Sequence, residues 1–158
     1  KILALNHIFN TNLRLLGKSK GDNITQEDEE FLLEFWQILT ESMLEWNMVL
    51  KKELSPRDLR ANYIVGHGVF IEAVGQLGHY LRSNCAHNWK SYIQKLSHID
   101  WNRSNINDWQ NRAFSPNGRI QKNASTIQLT CNRIKQLIGL PLNEQEQATE
   151  DKFFKGVV

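Results

Sequence analysis

Apolar residues recur along this chain at three- and four-residue intervals and nowhere sustain a period of two, so the pattern predicts an all-α protein. Leu3, Ile8, Leu13, Leu15 and Leu16 mark a loose first helix that stops at Gly17, before a polar, glycine-containing loop over 18–23. Thr25 follows as a helix N-cap, and the acidic first turn from Glu27 to Glu30 suits the positive end of the helix dipole without any catalytic role. Phe31, Phe35, Leu39, Met43, Trp46 and Leu50 then trace one long amphipathic helix to about Lys52. Ser55 caps the next, with Pro56 at its first position and Leu59, Tyr63, His67, Phe70, Val74, Leu77 and Leu81 as its buried stripe. The expected fold is an irregular helical bundle built on a long antiparallel pair, Thr25 to Lys52 and Ser55 to Arg82.

That second helix also carries Gly66, Gly68, Gly75 and Gly78. Each costs up to about 1 kcal/mol relative to alanine inside a helix, so Gly68 and Gly75 are expected to face a closely packed neighbour. Gly66-His67-Gly68 is no dinucleotide fingerprint, because position 71 is Ile and no strand precedes it. A shorter helix carries Trp89, Tyr92, Ile93 and Leu96, and beyond it Asp100 to Asn123 reads as an extended loop with one brief helix around Ile106 to Asn111. Ile127, Cys131, Ile134, Leu137 and Ile138 form a further helix closed by Gly139 with Pro141 beyond, and Asn143 caps a last acidic segment.

The 158 residues, 41% hydrophobic and 23% charged, suit one soluble domain with no need of disulfides or metals. The chain opens at Lys1 inside a helical pattern, which suggests the C-terminal domain of a longer protein. No apolar run approaches the about 20 residues that cross a bilayer, so the expectation is cytoplasmic, with no membrane partner. Cys85 and Cys131 read as reduced and mostly buried. Cys85-Ala86-His87 with His79 or His98 is the best set for zinc but lacks the paired spacing of structural sites, so neither metal nor cofactor is expected. No phosphate loop or catalytic triad signature is present, which leans against an enzyme within this chain.

Charge changes the picture most. From Cys85 to Leu142 there are eight basic residues against only Asp100 and Asp108, a local excess of +6 in a chain of formal charge +2. One face meant for an anion is the functional reading, and a solvated basic face is its alternative. Arg103, Arg112, Arg119, Lys122 and Arg133 are candidates for phosphates, and Asn102 and Asn105 for polar contacts. Asp100, Trp101 and Trp109 are expected to be structural anchors of the long loop.

Ser55-Pro56-Arg57-Asp58-Leu59-Arg60, His67-Gly68, Ile99-Asp100-Trp101-Asn102-Arg103-Ser104-Asn105 with Trp109, Gly118-Arg119-Ile120, Leu129-Thr130, Ile134-Lys135 and Gly139-Leu140-Pro141-Leu142 together resemble the C-terminal part of the DndB family of DNA sulfur-modification proteins. The likeness covers roughly the second two-thirds of the chain. It implies a bacterial cytoplasmic protein tied to DNA phosphorothioation, controlling that system through DNA binding and repression of the modification genes. The Asp-Gly-Gln-His-Arg motif that names the wider group is absent, so chemistry attached to it does not carry over.

The resulting expectation is a DNA-binding regulatory domain whose partners are duplex DNA, promoter or phosphorothioated, the N-terminal part of its own longer chain and a possible second copy. Two rivals stand beside it: a helical dimerisation or docking scaffold with no DNA contact, and part of a nuclease or ATPase whose chemistry lies outside this segment.

Overall fold

Local chemistry sets several of the helix boundaries. A computed structural model describes residues 3–156, and among them it contains α1 Leu5–Leu16, α2 Gln26–Ser42, α3 Leu44–Leu50, α4 Pro56–Asn62, α5 Gly68–Asn84, α6 Trp89–Gln94, α7 Ile106–Trp109, α8 Ala124–Leu137 and α9 Glu144–Phe154. Extended pairing among these residues is confined to isolated bridges, so the all-α expectation is met. Gly17 closes α1 with φ 63°, a left-handed geometry that glycine adopts without a steric penalty. Thr25, Asn123 and Asn143 each head a helix with a reciprocal cap in which side chain and backbone exchange hydrogen bonds.

The long antiparallel pair does not form, because both of its helices break. At Met43 the backbone turns extended (φ −90°, ψ 99°), separating α2 from α3. Polar side chains stabilise this break: Ser42 Oγ donates to the Ile38 carbonyl, and Asn47 Nδ2 donates to the carbonyls of Thr40 at 3.0 Å and Met43 at 2.9 Å. The second helix breaks at Tyr63 and His67, which flank a 3-10 turn over Ile64–Gly66. Here a distant segment replaces the helical hydrogen bonds. Ile64 N–H donates to the Trp101 carbonyl at 3.1 Å and Arg103 N–H to the Asn62 carbonyl at 2.8 Å. Neither competitor shows in a pattern of apolar spacing.

Released from that pairing, α5 becomes the central helix and packs along α1 on one side and α8 on another. Its contact with α1 is close because Gly75 and Gly78 lack side chains. A Cβ on Gly75 would lie 3.1 Å from Thr11 Cγ2 and from the Thr11 carbonyl oxygen. A Cβ on Gly78 would collide with Leu15 and come within 2.6 Å of Phe35. Gly75, and Gly68 under the His7 ring, therefore face a close neighbour as expected, and that neighbour is α1 of the same chain; Gly78 makes a like contact with α1 and with Phe35 of α2. Phe35, Leu39 and Met43 from α2 join Val74, Leu77 and Leu81 in one apolar cluster that also takes in Trp101, Trp109 and Ile134.

One carboxylate and two cations tie the ends of these helices together. Asp28, in the first turn of α2, accepts from Lys18 and from Arg82 of α5, at 3.0 Å in the latter case. The Lys18 hydrogen bond, and then that of the Thr25 backbone, hold its carboxyl well below the usual carboxylate range.

Candidate nucleic-acid interface

The segment from Asp100 to Asn123 is ordered from inside. Trp101 and Trp109 stack with ring centroids 5.2 Å apart, and Phe70 meets Trp101 edge-on at 4.9 Å. Both indoles are buried, and both find backbone acceptors: Trp101 Nε1 donates to the Leu96 carbonyl at 3.0 Å and Trp109 Nε1 to that of Asp100 at 2.8 Å. Asp100 also caps the turn by accepting from Asn102 N–H. The three residues expected as anchors are the anchors. Asp100 works through the turn, and the carboxylate that pairs with an arginine in this loop is that of Asp108.

Asn102 and Asn105 are spent on the same loop. Asn102 Oδ1 accepts from Ser104 N–H at 2.8 Å, and Asn105 Nδ2 donates to the Asp100 carbonyl and to Asp108 Oδ2. Arg103 caps the C-terminus of α4. Its guanidinium donates to the carbonyls of Arg60 at 3.3 Å and Ala61 at 3.2 Å, satisfying acceptors that a helix end leaves open, and to that of Gly118. One half-buried arginine thus ties α4 to the turn that carries Arg119.

Two candidate arginines belong to other parts of the fold. Arg112 is only 3% exposed and donates to both carboxylate oxygens of Glu150, at 2.8 and 2.6 Å, and to the Leu129 carbonyl. The expectation that it points outward is therefore corrected, because a buried guanidinium needs a carboxylate and takes one from α9. Arg133 lies on α8, where its Nε donates to Asp108 at 2.8 Å. Lys122 donates to Glu72 at 2.7 Å but keeps its ammonium partly exposed, 3.4 Å from His7 Nδ1. Arg119 is exposed, and its guanidinium has no protein partner among the described residues.

The structure adds members that the basic segment alone does not reveal. Arg60 is exposed and free of any carboxylate among the described residues, and its carbonyl accepts from Arg103 and lies 2.8 Å from His67 Nε2. Burial, together with the charges of Arg103 and Arg60, holds the His67 imidazole below its usual value. Next to it, Gly68 lies under the His7 ring, and His7 leads to Lys122, Glu72 and Arg14. Glu72 is itself buried. Desolvation pushes its carboxyl up, but the Lys122 hydrogen bond and the Lys122 and Arg14 charges outweigh that and leave it lowered. These contacts join the segments that carry Arg119, Arg103 and Arg60 to Lys122 and Arg14 by way of the His67 and His7 rings, with the buried Glu72 carboxylate at the Lys122 and Arg14 end. One sequence signal pointed here: an acid at position 72 between Ile71 and Ala73 on an apolar helix must have basic partners.

Among the described residues no three of His, Cys, Asp and Glu converge to hold a metal, and no helix is long and apolar enough to cross a membrane. Cys85 and Cys131 are free thiols, and burial pushes that of Cys131 up to about 12, which leaves it a poor nucleophile.

Compared with known proteins, the chain matches the model of one family, described as DndB, DNA-sulfur modification-associated, over residues 1–141. The match takes in α1, which the motifs had not reached, and ends before α9. No curated protein and no solved structure matches the chain.

Proposed function

The chain belongs to the DndB family of DNA-sulfur modification-associated proteins, and from that premise we propose that it contributes a duplex-DNA contact through the ridge of Arg119, Arg103, Arg60 and Lys122. The observation that carries this reading is the pair of exposed guanidinium groups, Arg60 and Arg119, that flank Arg103 without a carboxylate partner among the described residues. Arg103 holds the two elements bearing them in a fixed relation, so the contact is preorganised. Phosphate contacts of this kind set position and affinity, and sequence choice needs further groups. In such a protein the contact would serve control of the modification system, with repression of its genes as the specific role.

The test is a salt titration with short duplexes. Binding should weaken as salt rises, with a slope set by the number of phosphates neutralised, and Arg60→Ala with Arg119→Ala should lower that slope by about 2 for all sequences alike. Binding that ignores salt, or a salt slope unchanged by the double substitution, overturns the ridge. Running promoter, unrelated and phosphorothioated duplexes in parallel tests the regulatory role and sulfur sensing separately.

A specific observation favours the scaffold as a second reading: of the candidates in the basic segment, every side chain except that of Arg119 is engaged inside the fold. Undetectable DNA binding at low salt leaves that reading standing.

A further inference from the structure

The seam between α8 and α9 relies on polar contacts. Among the side chains of α9 only Glu150 is fully buried, and α9 buries no apolar side chain completely. Its attachment is polar. Glu146 accepts from Lys135 Nζ at 2.7 Å, Glu150 takes both arms of Arg112, and Asn132 Nδ2 donates to the Glu146 carbonyl at 3.2 Å and to Glu150 at 3.1 Å. Phe153 lies under the Arg112 guanidinium, 4.2 Å from it, while Phe154 is exposed. Beneath α9, by contrast, Lys135 is wholly buried, its ammonium 3.7 Å from the centre of the Tyr80 ring.

Facing α9, Arg112 of the preceding segment and Lys135 and Asn132 of α8 present donors, a bidentate guanidinium fork, an ammonium and an amide N–H, occupied by two carboxylates of the same chain. Those donors match phosphate oxygens as well as they match carboxylates. A groove of about 390 Å³ opens beside the Lys135 and Glu146 pair and is lined also by Arg14, His79 and Gln128, giving an anion a way in. Leu140 N–H donates to the Lys135 carbonyl at 2.8 Å, a tie to α8 that involves no side chain of α9. Undocking exposes both partners of each ion pair to water, so it avoids the penalty of stranding a lone buried charge.

We propose that α9 is a reversible acidic latch whose Glu146 and Glu150 carboxylates fill an anion site made by Arg112, Lys135 and Asn132, and that its release opens this site to the phosphodiester backbone of DNA. The ligand assignment rests on the DNA-contact reading above; the latch does not. The family match ends at residue 141, before α9 begins.

Amide hydrogen exchange on the intact chain tests the latch without any ligand. Amides of α9 should exchange by local opening, at least tenfold faster than those of α5, and the difference should widen with salt because the contacts are ionic. Exchange of α9 only with global unfolding, at all salt concentrations, overturns the latch. For the site, Glu150→Arg sets like charges against Arg112 and should release α9, with Asp151→Arg as the control that makes the same change of charge on an exposed position. Short duplex DNA should then bind several-fold more tightly to Glu150→Arg than to Asp151→Arg, with a steeper salt slope. Equal binding by the two variants overturns the phosphate site and leaves the ridge intact if the native chain binds. Binding by Glu150→Arg alone supports the site and overturns the ridge, and binding by neither overturns both.

Discussion

Two helix seams in this protein solve the same packing problem by opposite means. Where α5 meets α1, Gly75 and Gly78 let backbones approach, and the contact is filled by Thr11, Leu15 and Phe35. Where α8 meets α9, no glycine is needed because the helices are held by Arg112 on Glu150 and Lys135 on Glu146. The first seam gains from removing apolar surface from water, which is roughly proportional to area and is not weakened by ionic screening. The second exchanges solvation of four charges for two ion pairs, terms that nearly cancel. A fold can therefore be fixed along one helix and left adjustable along another, and the difference lies in side-chain chemistry rather than in helical propensity.

The largest expected effect breaks the apolar seam. Leu15 is fully buried against Gly78 and Phe35, so Leu15→Ala should cost about 2 to 5 kcal/mol in denaturant unfolding, through lost transfer energy and the cavity left behind. Gly78→Ala attacks the same contact by overfilling it. The added methyl meets two buried side chains and should destabilise by about 1 to 3 kcal/mol despite the better helix propensity of alanine; a rise in melting temperature would show that α1 yields.

The ionic seam should respond less. Removing one partner of an ion pair locked in the interior costs about 3 to 5 kcal/mol. Because α9 can lift away and hydrate Arg112, Glu150→Ala should lower global stability by less than about 1.5 kcal/mol while accelerating exchange in α9. A loss in the higher range would make the two seams equally rigid and erase the contrast.

The smallest effect lies at the polar end of the apolar seam. The carboxyl of Glu72 is lowered in the folded protein, so the unfolded chain binds the extra proton first as acid is added. Its contribution is fully present above the unfolded value of about 4.3 and disappears as pH falls through the folded one. Glu72→Gln should therefore flatten the acid side of the stability profile between native and variant, measured by melting at stepped pH. An unchanged acid limb would mean that Arg14 and Lys122 do not hold this carboxylate in solution.

Much of the site was legible in part. Trp101 and Trp109 stood out as anchors because a long polar loop needs apolar residues to stay ordered, and both are buried. The excess of basic residues after Cys85 was equally plain, but composition does not say which charges find partners. Arg112 and Arg133 look alike in sequence, yet one is enclosed by α9 and the other pairs on the surface of α8 with Asp108. Arg60 was passed over as a basic group because it lies outside the basic segment and joins the ridge only through Arg103.

By itself the sequence determined the helices whose signals are local: the caps at Thr25, Ser55 and Asn143, the stops at Gly17 and Gly139, and the apolar stripe of α5. These depend on interactions within four residues, so no distant partner is needed to read them. Only the tertiary structure decided that the second long helix breaks at Tyr63 to His67, which helix lies against the glycines of α5, and which cations remain free. Each of those depends on groups remote in sequence competing for the same hydrogen bond or charge: the 101–103 segment for the backbone at 62–64, α1 for the face of α5, and Glu150 for Arg112. Such competition is settled by what the fold brings within a few ångströms, a distance that spacing along the chain does not encode.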